Sequence, residues 1–553
     1  MRPFQFGLTI FTVLVTAALA LDSLTLRHPE LLASLGLTID LPLHVSLCWS
    51  LVIAVVSAAV NALSASRASE AAVLTALLLL LHTATYLSIA LHPPPGGRQR
   101  LGTFATRHGL ATVGALLLAF VYKLTLTLLK LGRWRRLLAQ VERQTQTGLD
   151  GGGGRVEGPV LLLYANVGSG HKRAAEAIHA AMIERGVAPE GVVSIDAMEL
   201  VPAAFRYLLQ VGFQELTQSL AGQHLLGYLY DAADHGRPKA KLQNLVEDAC
   251  MLGMVEKVAE LKPSAIVCTH FLPAQLFAGI RARSEVLKRR LPIGVTDLDL
   301  QFMWVHAIDH YFVPRADCEH VLRAYQRQGT ASQAAVSVSG IPIMPSFSKA
   351  AARVTADREA SRAACLQQFG LCPHTSDVRP VVVLISSGKQ LVLAAYKELL
   401  ACSVPLRFIV VMGRQADARR EVEEISVPSA HSTYVQGFVQ DMPSLYCCAD
   451  LLVSKSGGLT IAEAAAIGVP MVILDPIPGQ EARNADVLLE ARAAVKINDL
   501  PLLSTRVDEI LSSGKLAEMS KAMRNLGKPD AAFTIADAVM QQQIQPAMRQ
   551  KDA

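Results

Sequence analysis

Residues 160–185 read VLLLYANVGSGHKRAAEAIHAAMIER. Val160-Leu161-Leu162-Leu163-Tyr164 is a short apolar run of the buried-strand kind. It ends in Ala165-Asn166-Val167-Gly168-Ser169-Gly170, and an Ala-rich helical pattern follows from His171 to about Arg185. Strand, glycine loop and helix in that order open a doubly wound α/β domain. Outward from this stretch, Ala265–Cys268, Ile293–Val295 and Tyr311–Val313 are further buried-strand candidates. A second series starts near Pro380, with strands at Val381–Ile385, Phe408–Met412, Leu451–Val453 and Met471–Leu474. Apolar runs separated by helical stretches mark parallel sheets covered on both faces. Gly340-Ile341-Pro342-Ile343-Met344-Pro345 is expected to cross between the halves. The pattern predicts two Rossmann-like α/β domains facing a cleft, residues 159–345 and 346–545. Ligands of such sheets sit at the carboxyl ends of the strands.

The N-terminal quarter has a different character. The 553-residue chain is 51% hydrophobic and 18% charged, with a mean hydropathy of +0.32, which excludes a disordered chain, a coiled coil or a small disulfide scaffold. Its net charge of +5 gives no ground for a nucleic-acid partner. Apolar stretches at about 7–21, 42–63, 71–92 and 108–129 make residues 1–143 a membrane block of about four transmembrane helices. An alternative for the first stretch is a cleaved signal ending at Ala18-Leu19-Ala20. Both versions put residue 131 onward in the cytoplasm. The cluster Lys130, Arg133, Arg135 and Arg136 after the last stretch agrees with that orientation. Residues 144–158, with Gly151 to Gly154 in a row, read as a flexible linker. Nine cysteines without a C-x-x-C pair read as reduced thiols of a cytosolic domain, with no zinc site.

Three loops carry chemistry. In Gly168-Ser169-Gly170-His171 the glycines let backbone amides approach a ligand and a helix N-terminus point at it, and His171 is a candidate general base. This loop is neither G-x-x-x-x-G-K-[ST] nor G-x-G-x-x-G, and a tight structural turn is the bland alternative. Ser454-Lys455-Ser456-Gly457-Gly458-Leu459-Thr460-Ile461-Ala462-Glu463 repeats the strand–glycine–helix layout. Thr460 followed by Glu463 spells a capping box; the functional alternative puts a diphosphate on the amides and ribose hydroxyls on Glu463. Pro476-Ile477-Pro478-Gly479-Gln480-Glu481-Ala482-Arg483-Asn484-Ala485 offers Gln480 and Glu481, a donor–acceptor pair suited to sugar hydroxyls.

These residues resemble family 28 glycosyltransferases of the GT-B fold, and most of all the monogalactosyldiacylglycerol synthases and processive diacylglycerol glucosyltransferases. The resemblance is carried by YANVGSGHKRAAE (164–176), VTDLDLQFMW (295–304), GIPIMP (340–345), GFVQDM (437–442) and DLLVSKSGGLTIAEAAAIGVPMVILDPIPGQEARNA (450–485), and covers about 159–530. It implies inverting transfer of glucose or galactose from a UDP-sugar to a lipid hydroxyl at a membrane, without a bound catalytic metal or other cofactor. By the same resemblance Gly457, Gly458 and Thr460 lie by the diphosphate, Glu463 on the ribose, and Gln480, Glu481 and Asn484 on the nucleotide sugar. Gly168 and Gly170 form the first glycine loop. Gly413 and Arg414 match a segment near the nucleotide. His171 matches the essential loop histidine, and Asp297 is the second candidate for base or acceptor orientation.

The chain departs from that pattern where Gln301 stands for a usual His and where Ser386-Ser387-Gly388-Lys389 is less glycine-rich. Asp297-Leu298-Asp299 spells D-x-D, a divalent-metal alternative. Residues 205–230 form an apolar, aromatic segment readable as a lipid-surface element or a core helix pair, and Arg281, Arg283, Lys288, Arg289 and Arg290 form a basic run. His270 reads as structural. The other functions left open are N-acetylglucosaminyl transfer to a polyprenyl-linked acceptor and a catalytically degenerate nucleotide-sugar or lipid sensor. Oligomeric state is not legible.

Overall fold

The computed structural model of the protein describes residues 158–166, 169–201, 252–281, 293–296, 308–327, 334–370, 378–385, 388–414 and 416–541, with residue 206 and eight helical residues between 132 and 143. The four apolar stretches, the glycine linker, Gly168, Asp297, Asp299, Gln301, the basic residues from Arg283 to Arg290 and all of 205–230 except Arg206 lie outside these. Among the described residues, no helix is long and apolar enough to cross a membrane.

The chain divides into two units. One takes in residues 1–144, 197–213 and 237–261; its described part includes a helix at Leu252–Leu261, whose Glu256 pairs with Arg133 at 2.8 Å. The other takes in residues 145–196, 214–236 and 262–553 and holds two six-stranded sheets.

The first sheet is built from β1 (Val160–Tyr164), β2 (Val192–Asp196), β3 (Ala265–Cys268), β4 (Ile293–Thr296), β5 (His310–Val313) and β6 (Ala335–Val338), in the order β2-β1-β3-β4-β5-β6. The second is built from β7 (Val381–Ile385), β8 (Arg407–Val411), β9 (Ser432–Gln436), β10 (Leu451–Ser454), β11 (Met471–Leu474) and β12 (Ala494–Ile497), in the order β12-β11-β10-β7-β8-β9. Every neighbouring pair is parallel. Period-two alternation explains the continuous apolar runs. Val381 and Val383 of β7 enter one core with Ile409 and Val411 of β8, while Val382 and Leu384 enter the opposite core with Phe408 and Val410. Two such sheets make the GT-B architecture.

The helices that frame the site are α1 (Ser169–Glu184), α2 (Phe271–Arg281), α3 (Pro345–Ala356), α4 (Lys389–Leu399), α5 (Met442–Cys448), α6 (Gly458–Ile467), α7 (Gln480–Glu490), α8 (Lys515–Leu526) and α9 (Ala531–Met540). The segment after Gly340 does lead from the first sheet into α3, and Gly340 takes the left-handed φ of 91° that its turn needs. The last helix among the described residues, α9, returns to the first sheet. Ala532, Ile535, Ala536 and Val539 of α9 share a core with Leu162, Ile178, Met182, Val267 and Phe312. Arg185, just past α1, grips Asp537 of α9 through two hydrogen bonds of 2.8 Å.

Candidate active site

Strand order locates the site. In the first sheet the chain leaves β1 for β2 on one side and returns to β3 on the other, so the loops after β1 and β3 diverge at a topological switch point. In the second sheet the same reversal falls between β7 and β10. His171 follows β1, and Gly457 follows β10.

Three hydrogen bonds seat the first loop. The Asn166 amide donates to Asp196 at the end of β2, at 3.2 Å. The ring of His171 donates from Nδ1 to the carbonyl of Thr269, at 2.5 Å, and the Thr269 hydroxyl donates to the His171 carbonyl at 2.8 Å. Thr269 itself is fixed to β1 by its amide on Leu163 O. A carbonyl only accepts, so the His171 proton sits on Nδ1 and the lone pair on Nε2. That is the tautomer a general base needs. Desolvation is the main influence on His171 and lowers its pKa to about 4, against the raising effect of the Thr269 carbonyl. The imidazole is therefore neutral at pH 7. The His270 ring lies edge-on to it, with centroids 4.6 Å apart, and accepts at Nδ1 from the Leu272 amide, which opens α2.

The second loop departs from the capping-box expectation. Helix α6 starts at Gly458 with Gly457 as its N-cap, and no side chain caps it. Thr460 is already inside the first turn, and Glu463 is turned into the protein rather than back to the cap. The reason lies one residue earlier: the Ser456 hydroxyl is spent on the carbonyl of Glu481, at 2.7 Å. First-turn amides without a side-chain cap form a ready anion site.

Glu463 is buried and pairs with Arg173 of α1, Nη2 to Oε1 at 3.0 Å. Burial raises its carboxyl to about 7, opposed by the Arg173 charge and by a hydrogen bond with Tyr446. The third loop is held to the second. The amide of Asn484 donates to Ser456 O at 3.0 Å, and the Ile477 amide donates to Glu481 Oε2 at 2.8 Å. Burial pushes the Glu481 carboxyl up, with the Ile477 amide working against it. Gln480 is the first residue of α7, whose N-cap Gly479 has φ 92°.

The structure thus brings Gly457, Gly458, Thr460, Glu463, Gln480, Glu481 and Asn484 to one end of the second sheet. Arg173 joins them to the helix of Gly170 and His171. Gly413, with φ 60°, and the exposed Arg414 sit apart, beyond the end of β8. Lys389, in the less glycine-rich segment, pairs through its Nζ with Glu421 at 2.6 Å.

Several residues were not singled out from the sequence. Thr269 orients the His171 ring, Tyr446 and Arg173 hold Glu463, and Lys455 sits at the end of β10 with its Nζ 3.3 Å from Asp475. Asp475 has a left-handed φ of 40°, a strained setting for a non-glycine residue at a strand end. Phe438 is 59% exposed, and the Arg414 guanidinium lies 4.9 Å from its ring centre. A large apolar side chain left in solvent after a strand is the signal that marks it. Among the described residues, no three His, Cys, Asp or Glu side chains are grouped to hold a metal ion.

Residues 171–343 match the family described as monogalactosyldiacylglycerol (MGDG) synthase, and residues 387–535 match the glycosyltransferase family 28 C-terminal domain. The chain is 26% identical over 403 residues to the processive diacylglycerol beta-glucosyltransferase of Bacillus mycoides, covering 69% of this chain and 93% of that protein. For the Bacillus subtilis protein of the same name the identity is 25%, over 71% of this chain and 97% of that one. Among solved structures, Acinetobacter baumannii MurG aligns with a TM-score of 0.46 and 16% identity, over 70% of this chain and 100% of that one. The first match falls on the first sheet and the second on the half that carries the second sheet, and together they take in more than half of the chain; the protein belongs to the family 28 glycosyltransferases.

Proposed function

We propose that this enzyme transfers a hexose, glucose or galactose, from a UDP-sugar to diacylglycerol or a related lipid, with inversion at the sugar carbon. The observation that carries the reading is the pairing of two half-sites. A neutral histidine with its Nε2 lone pair lies on α1, a nucleotide-type glycine loop opens α6, and the Arg173–Glu463 contact joins the two helices. The names of the relatives, and the near-complete share of their length that aligns, support the lipid acceptor.

The geometry supports the following chemistry. The acceptor hydroxyl attacks C1 of the hexose, the bond from C1 to the UDP oxygen breaks, and His171 Nε2 takes the hydroxyl proton. A base of such low proton affinity accepts late, once the new C–O bond has made that proton acidic. The first-turn amides of α6 stabilise the diphosphate, with Lys455 adding positive charge at the same strand end. Glu463 takes the ribose hydroxyls, and Gln480 and Glu481 take the hexose. Asn484 holds the two donor loops together. The uracil stacks towards Phe438, on a strand end about 15 Å from β10 at ordinary strand spacing, within the span of a nucleotide diphosphate. Asp297 assists in orienting the acceptor. Gly168 gives the first loop its turn. No divalent metal or other cofactor is required. The enzyme is a multi-pass protein of the cytoplasmic (inner) membrane, anchored through residues 1–143, with its catalytic part in the cytoplasm. This anchoring raises the effective concentration of the lipid acceptor.

Radiolabel transfer in membranes tests this, with UDP-glucose, UDP-galactose and UDP-N-acetylglucosamine offered separately, EDTA present and His171→Ala as the blank. Label entering a diacylglycerol-sized lipid, lost in the variant and indifferent to EDTA, is the expected outcome. Label only from UDP-N-acetylglucosamine in a polyprenyl lipid would replace this reading with the other transferase. UDP binding without any transfer would replace it with a sensor.

A further inference from the structure

Helices α1 and α6 flank different sheets and touch where Arg173, in the second turn of α1, meets Glu463, midway along α6. The partners are unequal. The Glu463 side chain is 4% exposed, and that of Arg173 is 38% exposed. On its inner side Glu463 bonds Tyr446 of α5, whose hydroxyl is a donor held firmly protonated by burial and by the neighbouring carboxylate. Three other cations on elements packed against α6 have partners of their own. Lys349 of α3 pairs with Glu184, Arg524 of α8 bonds Ser520 near Gly468 at the far end of α6, and Lys172 of α1 pairs with Glu176. Glu481, on the α7 side, is bonded to the Ile477 amide. Arg173 is thus the one cation placed on this carboxylate among the described residues.

We propose that Arg173 is a positioning residue for the donor: from the histidine-bearing helix it holds the Glu463 carboxylate charged and aimed at the ribose hydroxyls. The inference rests on the assignment of the ribose to Glu463 made above. A carboxylate accepts from both hydroxyls of a ribose cis-diol at once, whereas a carboxylic acid keeps one oxygen as a donor. Buried without a cation, Glu463 would take up a proton at neutral pH and lose that grip. Arg173 and His171 lie two residues apart on one helix. The contact that completes the ribose site therefore also brings the base to the donor, and tight nucleotide binding reports an assembled site.

The test is calorimetric titration of the full-length protein with UDP, and with 2′,3′-dideoxy-UDP, between pH 5.5 and 9. Wild type, Arg173→Met, Arg173→Lys and Glu463→Gln are compared. The ratio of wild-type affinities, UDP over the dideoxy nucleotide, should fall below about pH 7; titration of the terminal phosphate acts on both ligands and cancels. Arg173→Met should move that fall up by about one pH unit, which weakens UDP about 5-fold at pH 7 and little at pH 9. Arg173→Lys should restore the wild-type midpoint. A uniform weakening in Arg173→Met with an unmoved midpoint would overturn the positioning role and leave a merely structural one. UDP affinity unchanged in Glu463→Gln would instead remove the ribose assignment itself.

Discussion

Glu463→Gln should stabilise the protein progressively as the pH rises, although it damages the site. The folded carboxyl keeps its proton up to about 7, while in the unfolded chain it ionises at its ordinary value of 4.5. Between those values the folded state binds more protons, so wild-type stability falls as pH rises through the window. At about 1.4 kcal/mol per unit, the change across it is about 3 kcal/mol. Glutamine has no such dependence. The difference in stability between variant and wild type should therefore grow by about 3 kcal/mol from pH 4.5 to 8, roughly 6–12 °C in melting midpoint for a domain of ordinary size. The constant offset from exchanging a carboxyl for an amide cancels, because only the change with pH is read. Scanning calorimetry of both proteins at one scan rate across that range provides the curve. A flat difference, or one that widens towards acid, would refute the reasoning. That Arg173 and Tyr446 do not abolish the cost is what a ligand-binding carboxylate implies, since its full partner arrives with the substrate.

Other outcomes follow from neighbouring residues. His171→Ala should lower kcat by about 10²–10⁴-fold while UDP affinity is retained, measured by transfer kinetics and titration. His171 stays neutral in the fold down to about pH 4, so the stability tied to it is present above pH 6.5 and lost as the pH falls towards 4; His171→Gln should flatten that acid limb of the melting curve. Thr269→Val removes the hydroxyl donor to the part-buried His171 carbonyl and should cost about 0.5–1.5 kcal/mol in denaturant unfolding, with a fall in kcat and an unchanged Kd for UDP. Gly340→Ala forces a methyl into a left-handed turn 2.4 Å from the Lys528 side chain, and a loss of about 2–4 kcal/mol is expected in the same assay.

The central strands were legible because burial on both faces leaves a plain apolar run, as in Val381–Ile385 and Met471–Leu474. Strands β2, β6, β9 and β12 were not anticipated. All four close a sheet edge, where half-exposure permits polar residues, as Ser432-Thr433-Tyr434-Val435-Gln436 shows. The loops of the site were legible because glycine beside a strand end is a local signal. The partners of those loops were not. Arg173 reaches Glu463 across 290 positions, and Thr269 reaches His171 across 98. Thr460 and Glu463 satisfied a local rule that the fold overrode, because the serine before the glycines was drawn to another loop.

The return of α9 to the first sheet bears on how the chain is made. Leu162, Ile178 and Phe312 leave the ribosome hundreds of residues ahead of the helix that covers them. At ordinary elongation rates that interval is on the order of tens of seconds. During it the first sheet waits with an open apolar face while the second sheet is already being synthesised. A released chain ended after residue 528 should therefore keep the second sheet protease-resistant and leave the first one digestible. Helix α9, synthesised after the second sheet, thus completes the core of the half that was translated first.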